Sequence, residues 1–328
     1  MRLSGMSSQS GSKLVIYAAL VGNFLIAVTK FVAAFFTGSS AMISEGIHSL
    51  VDTGNEILLL YGLNRAARRP DEGHPFGYGR EVYFWTFIVA VLVFALGGGF
   101  SIYEGVQHLS DGGPMTDPTV NYIVLAVSFL FEVVSWTVAL REFNRQKGAL
   151  GYFAAMRRSK DPTTFTVLLE DSVALLGLVT AFVGIFIAHQ MESHVPDAIA
   201  SIIIGLLLTA TAAFLARESK ALLVGEQALP EVVADIAGAA REDATVRAVN
   251  GVITAQVGPS TVVALVSADF QPQLTTHDIE AGIERIEDRI RATHPDVTSV
   301  FIRPQTPGHW QEDVPHLAEG NGEDEQSG

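Results

Sequence analysis

A histidine and an aspartate lie one helical turn apart in the stretch SAMISEGIHSLVDTGNEILLLYGL, at His48 and Asp52. A second apolar stretch, TFTVLLEDSVALLGLVTAFVGIFIA, carries Glu170 and Asp171. Ionisable side chains are costly inside hydrocarbon and normally face a bundle interior or a water-filled cavity. Positions i and i+4 share one face of a helix. An imidazole and several carboxylates offered by two such segments form a ligand set for a divalent metal ion, which points to movement of a metal cation across a membrane.

Around this pair, Glu45, His48, Asp52 and Asn55 follow one another at spacings of three, four and three, a polar stripe on one helix face. Interfacial water or interhelical hydrogen bonding would also account for such a stripe, Glu45 in particular. Adjacent residues point about 100° apart on a helix, so Glu170 and Asp171 need not face one site. Asp171 is the first choice as ligand. Glu170 is left between ligand, proton carrier and partner of Lys30. Asn23 and Lys30 in the first apolar stretch read as interhelical contacts, and Glu132 in the fourth stays open between structure and site. In the segment DEGHPFGYGRE, Asp71 and His74 make a weaker, peripheral metal candidate within a turn set by Pro75, Gly77 and Gly79.

The rest of the composition narrows the chemistry. The chain has 328 residues, a net charge of -14 and no cysteine. The acidity argues against nucleic-acid partners, which need a basic face. Without cysteine, disulfides and thiolate metal sites are excluded, so metal must be held by nitrogen and oxygen. No nucleophile–base pairing supports an enzyme, no prosthetic group is expected, and no Walker A signature supports ATP as a driver. The opening MRLSGMSSQSGSK lacks the features of a removed signal peptide.

Six apolar stretches can position these residues, each near the ~20 residues a bilayer crossing needs. They run roughly over 14–37, 40–64, 81–107, 120–141, 163–189 and 197–216. Arg65, Arg68, Arg69 and Arg80 follow the second, Arg145, Lys147, Arg157, Arg158 and Lys160 the fourth, and Arg217 and Lys220 the sixth. The alternate loops carry no Lys or Arg, which puts both termini in the cytoplasm. The expected organisation is a cytoplasmic tail over 1–13, a six-helix membrane domain over 14–217, a small soluble domain over 218–306 and a disordered acidic tail over 307–328. In the soluble part, a helix after Pro230, two β-branched runs joined near Gly258-Pro259, a helix N-capped by Thr276 and the run VTSVFIRP give an αββαβ order, an α+β layer of one sheet and two helices. His277 and His294 lie about 25 Å apart at the two ends of that second helix and cannot share one ion.

Together these stretches resemble the cation diffusion facilitator family. The resemblance covers nearly all of 14–306 and rests on GSSAMISEGIHSLVD, HPFGYGRE, PDAIASIIIGLLL, LLVGEQALPE and the Asn23-to-Lys30 spacing. It implies six-helix subunits that dimerise, a cytoplasmic domain of ferredoxin-like topology, and proton-coupled efflux of divalent metal. It further implies a central site of two residues from the second helix and two from the fifth, each pair spaced by four. His48 and Asp52 match the first pair and Asp171 the end of the second, but the remaining position is Val167, which cannot ligate. The Glu170-Asp171 pair is similar to a divergent branch with a mitochondrial member in animals. Tyr78 and Arg303 stand where the family often has histidine, so the soluble domain is expected to dimerise without a rich metal site.

The reading is a homodimeric secondary transporter in a bacterial plasma (inner) membrane, exchanging a divalent cation for protons. Zn2+ fits a histidine-containing set best, with Mn2+ or Fe2+ as further candidates. The alternatives are a non-transporting metal sensor or scaffold and a monovalent cation/proton exchanger.

Overall fold

The computed structural model describes residues 4–37, 40–111 and 118–314, with side chains from Lys13 onward except at 33, 34, 36–48 and 111. The chain divides into two compact units, Met1–Leu223 and Val224–Gly328.

The first unit is helical. Helices α1 (Ser4–Thr37) and α2 (Ser40–Ala66) pack along each other. A third rod is built from α3 (Glu81–Leu92), a π-helical stretch (Val93–Gly99) and α4 (Phe100–Asp111). Then come α5 (Thr119–Lys147), the short α6 (Tyr152–Arg158), α7 (Pro162–Met191) and α8 (Val195–Val224). Among the described residues, five segments are long and apolar enough to cross a bilayer: Lys13–Val32, Glu81–Ser110, Thr119–Lys147, Pro162–Met191 and Val195–Val224. The remaining expected span, α2, is a 27-residue helix. Local chemistry fixes the ends. Asp161 accepts from Thr163 N at 3.1 Å and Pro162 opens α7, while Glu192 in the left-handed region (φ 50°) stops it. At Gly98 an added Cβ would lie 3.1 Å from the Gly205 carbonyl, so glycine lets the third rod press directly on α8.

The end of this bundle nearest Ala66 and Pro162 is sealed by an apolar cluster that includes Ile16, Leu59, Leu63, Tyr83, Phe143, Phe165, Val167 and Leu215. Arg65 donates from Nε and Nη2 to Glu81 Oε1 at 3.0 and 2.7 Å, and Trp85 Nε1 donates to Glu81 Oε2 at 2.9 Å, pinning α2 to α3 at that end.

The second unit has the expected αββαβ order: α9 (Pro230–Arg241), β1 (Val246–Gly258), β2 (Thr261–Phe270), α10 (Thr276–Thr293) and β3 (Val297–Pro304). β1 and β2 pair antiparallel and β2 and β3 parallel. Ile236, Ala240, Ile286 and Ile290 of the two helices pack on Val262, Ala264, Val266 and Val300 of the sheet.

Four expectations are corrected. The polar residues from Ser4 onward are the first turns of α1. α8 continues to Val224, which moves the boundary between units from 217 to 223. The N-cap of α10 is Thr275, whose hydroxyl accepts from Asp278 N while Asp278 reaches back to the Thr275 backbone. The tail is ordered at its start, where α11 (Pro307–Asp313) buries Trp310 over Gly251. The cause is a glycine gap in β1 that an indole fills, so one aromatic anchor suffices. Residues 315–328 of the tail lie outside the described residues.

Candidate metal centre

Asp171 comes from the first third of α7, and its carboxylate accepts from Ser135 Oγ of α5 at 2.7 Å. It is 2% exposed. On α2, Ser49, Thr53, Asn55 and Glu56 are buried. Glu56 Oε1 accepts from Asn23 Nδ2 of α1 at 2.9 Å, and Lys30 Nζ of α1 donates to Ser49 Oγ at 3.0 Å. Two neighbouring helices, α1 and α5, thus fix the polar face of α2 and the acidic turn of α7.

Two cavities open between these helices. The inner one, of about 30 Å³, is lined by Asp52, Glu56, Glu132, Glu170 and Asp171, together with Asn23 and apolar Val93, Ala174 and Leu208. That volume holds a water or a single ion. The outer one, of about 80 Å³, shares Asn23, Asp52, Glu132, Ala174 and Leu208 with it and extends past Lys30 to Ser101 and Glu104 of α4. The outer cavity therefore joins the acidic pocket to the part of the bundle around Glu104, and the apolar cluster that includes Phe165 and Val167 lies towards the opposite end.

The buried carboxylates are incompletely satisfied. Glu56 Oε2 and Glu170 Oε1 are buried and have no hydrogen-bond partner among the described residues. Unmade buried acceptors are costly, and clustered carboxylates repel one another. A divalent cation relieves both at once.

The structure brings Asp52, Glu170 and Asp171 together at one cavity. The backbone of Glu45 and His48 continues α2 beyond Asp52, with His48 one turn away, but both side chains lie outside the described residues. Asn55 is buried, its amide atoms have no partner among the described residues, and it does not line either cavity. Among the described residues, no group of three His, Asp or Glu side chains converges as a coordination shell. Lys30 borders the outer cavity with Asp52 and Glu132, whereas Glu170 borders the inner one.

Sequence reasoning missed Glu56 and Ser135. Glu56 had a signal: with His48 and Asp52 it continues a strict i, i+4, i+8 series. Ser135 had none, since its partner is on another helix.

The peripheral pair sits in a tight turn. Asp71 Oδ1 accepts from His74 N at 2.8 Å and Oδ2 accepts from Tyr78 OH at 2.6 Å. The Tyr78 bond, followed by those from His74, holds the Asp71 carboxyl below its usual range. Both oxygens are thus engaged in holding the turn. In the second unit, Arg303 donates to Asp313 of α11 at 2.6 Å and His294 lies 2.8 Å from Asp235.

The first unit is thus a set of long, mostly apolar helices enclosing an acidic pocket, followed in the chain by a small α+β unit. The description of the cation efflux transmembrane domain matches residues 16–224, and the chain belongs to that family, the cation diffusion facilitators. It is 33% identical to the mitochondrial proton-coupled zinc antiporter SLC30A9 of Xenopus laevis, over 83% of this chain and 49% of that protein. It is 31% identical to metal tolerance protein C4 of Arabidopsis thaliana, over 81% of this chain and 59% of that protein. It is 26% identical to the cation-efflux pump FieF of Shigella flexneri, over 85% of this chain and 89% of that protein. The chain spans about half the length of the SLC30A9 relative it matches.

Proposed function

We propose that this protein is a secondary transporter that exports a divalent cation, Zn2+ in the first place, in exchange for protons. The observation that carries the reading is the inner cavity, where Asp52, Glu170 and Asp171 meet between the helices and Glu170 Oε1 is buried with no partner among the described residues. Those three and His48 are the proposed ligands. The name of the SLC30A9 relative, a proton-coupled zinc antiporter, supports the same choice. With a histidine in the set Zn2+ is favoured, and Mn2+ and Fe2+ are the next candidates.

Coupling follows from ligand chemistry. Metal binds deprotonated ligands, so a proton arriving at a ligand competes with metal and a metal arriving releases protons. Alternation of access supplies the rest. The pocket connects to the outer cavity here while the apolar cluster around Val167 closes the opposite end, and opening that cluster would expose the same carboxylates to the other side. The charges that follow the second and fourth spans, with Arg217 and Lys220 at the end of the sixth, support an orientation with both termini in the cytoplasm. We assign the protein to a bacterial plasma membrane, for which the near full-length match to a bacterial pump is the support. The second unit would join two copies, with Phe301, 52% exposed on β3, as apolar surface available to a partner.

The test is flux in vesicles of the purified protein carrying an internal pH dye. A Zn2+ pulse should drive proton movement that K+ and Na+ do not. Proton movement with K+ or Na+ instead would make the protein a monovalent exchanger, and none with any cation would make it a sensor or scaffold.

A further inference from the structure

Val167 leaves one coordination position of the central site without a donor, and its surroundings close off any substitute there. It is fully buried and belongs to the apolar seal with Phe165 and Leu168. A donor that completes the shell must therefore approach from another wall of the cavity.

We propose that Glu56 of α2 is that donor, a direct oxygen ligand of the transported cation, with Asn23 as the residue that positions it. The inference rests on the transport reading given above and adds a ligand to it. Glu56 follows Asp52 by four residues and so lies on the same helix face, one turn nearer the apolar seal. It is 1% exposed and lines the inner cavity with Asp52, Glu170 and Asp171. Its two oxygens have different fates. Oε1 is held by Asn23 Nδ2 at 2.9 Å, while Oε2 is buried with no partner among the described residues. One anchored oxygen and one open oxygen at a cavity the size of a single ion is the arrangement of a carboxylate awaiting a cation.

This donor changes the chemistry of the site. With Glu56 added to Asp52, Glu170 and Asp171, the inward part of the shell is all oxygen, and His48 is its single nitrogen. Oxygen donors favour harder ions than imidazole does. Glu56 is thus a specificity-determining residue that widens acceptance from Zn2+ towards Mn2+.

The rival role for Glu56 is a structural link between α1 and α2 through Asn23. Glu56→Gln separates the two, because the amide oxygen still accepts from Asn23 at the same length while the charged donor is gone. The experiment measures Zn2+ and Mn2+ binding to the full-length purified protein by equilibrium dialysis, beside thermal unfolding with chelator present. Glu56→Gln should bind about tenfold or more weakly, as expected for a direct ligand given that even groups supporting ligands cost 10–100-fold. The loss should be larger for Mn2+ than for Zn2+, with unfolding unchanged in chelator. Asn23→Ala should weaken binding less than Glu56→Gln. Wild-type affinity and an unchanged Mn2+/Zn2+ ratio in Glu56→Gln would overturn the proposal while leaving the transport reading standing. A wild-type protein that binds neither metal would overturn both. If Glu56→Gln does not fold, Glu56→Asp decides: the carboxylate remains but is shortened by one methylene, so weaker binding supports a ligand and wild-type binding contradicts one.

Discussion

The two units of this protein treat buried carboxylates differently. In the second unit Asp243 and Asp269 each meet an arginine, Arg285 and Arg247. Arg285 donates to both oxygens of the buried Asp243 at 2.9 Å. Asn250, Ser267 and Gln305 form a closed set, with Asn250 Nδ2 donating to Ser267 Oγ at 3.0 Å and to the Gln305 carbonyl at 2.8 Å. In the membrane unit, Glu56 and Glu170 each keep a buried oxygen without a partner among the described residues, beside Asp52 and Asp171 at one small cavity. A fold that satisfies its polar groups in one place and leaves carboxylates open in another marks the second place as the one that waits for a ligand.

If that contrast is right, substitutions in the two units should separate by readout. The largest effects belong to the membrane pocket. Asp52→Asn and Asp171→Asn should each lower metal flux by at least about tenfold, because removing a ligand is worse than removing a group that orients one. Vesicle flux assays check this, and near wild-type rates for both would place the site elsewhere.

In the second unit the largest expected cost is structural. Trp310→Ala leaves the space over Gly251 empty and should destabilise the isolated unit by about 3 kcal/mol, the scale of a buried aromatic truncation. Thermal unfolding of residues 224–314 measures it. Ending the chain at 306 should cost a similar amount, whereas an unchanged midpoint would return the tail to the status of a bystander.

Next in size is Asp243. Its bonds to Arg285, and then those from Thr245, hold its carboxyl well below the usual carboxylate range. A depressed folded-state value gives stability that is fully present above the unfolded value of about 4 and is lost as pH falls towards the folded value. Asp243→Asn should lower stability of the isolated unit by about 2 kcal/mol at neutral pH. It should also flatten the loss seen on acidification below about pH 4. Unfolding midpoints against pH for both proteins decide it, and parallel curves would sever the link to Asp243.

The smallest expected change is a shift of preference. His48→Asp makes the shell wholly oxygen, so the Mn2+/Zn2+ flux ratio should rise. A ratio that stays put would remove His48 from the ligands.

Much of this arrangement is legible in the sequence because membrane burial is so selective. An aspartate in an apolar segment needs a reason, and Asp52, Glu170 and Asp171 do line one cavity. The αββαβ order is equally readable, since β-branched runs and capped amphipathic helices alternate plainly. Glu56 was hidden by helix geometry. A repeat of 3.6 residues lets a stripe continue from Asp52 through either Asn55 or Glu56. The contact that decides is Asn23, on a different helix. The ordered start of the tail was hidden for a similar reason. Trp310 finds its place only because Gly251, some sixty positions earlier, leaves a gap in β1.

The central claim is that the carboxylates of the inner cavity carry the cation. The most direct measurement is Zn2+-driven proton movement in one set of vesicles, made with wild type, Asp171→Asn and Trp310→Ala at equal protein density. The account predicts that wild type and any folded Trp310→Ala protein move protons on a Zn2+ pulse, while Asp171→Asn, folded and inserted, does not. Full Zn2+-driven proton movement by Asp171→Asn would contradict it.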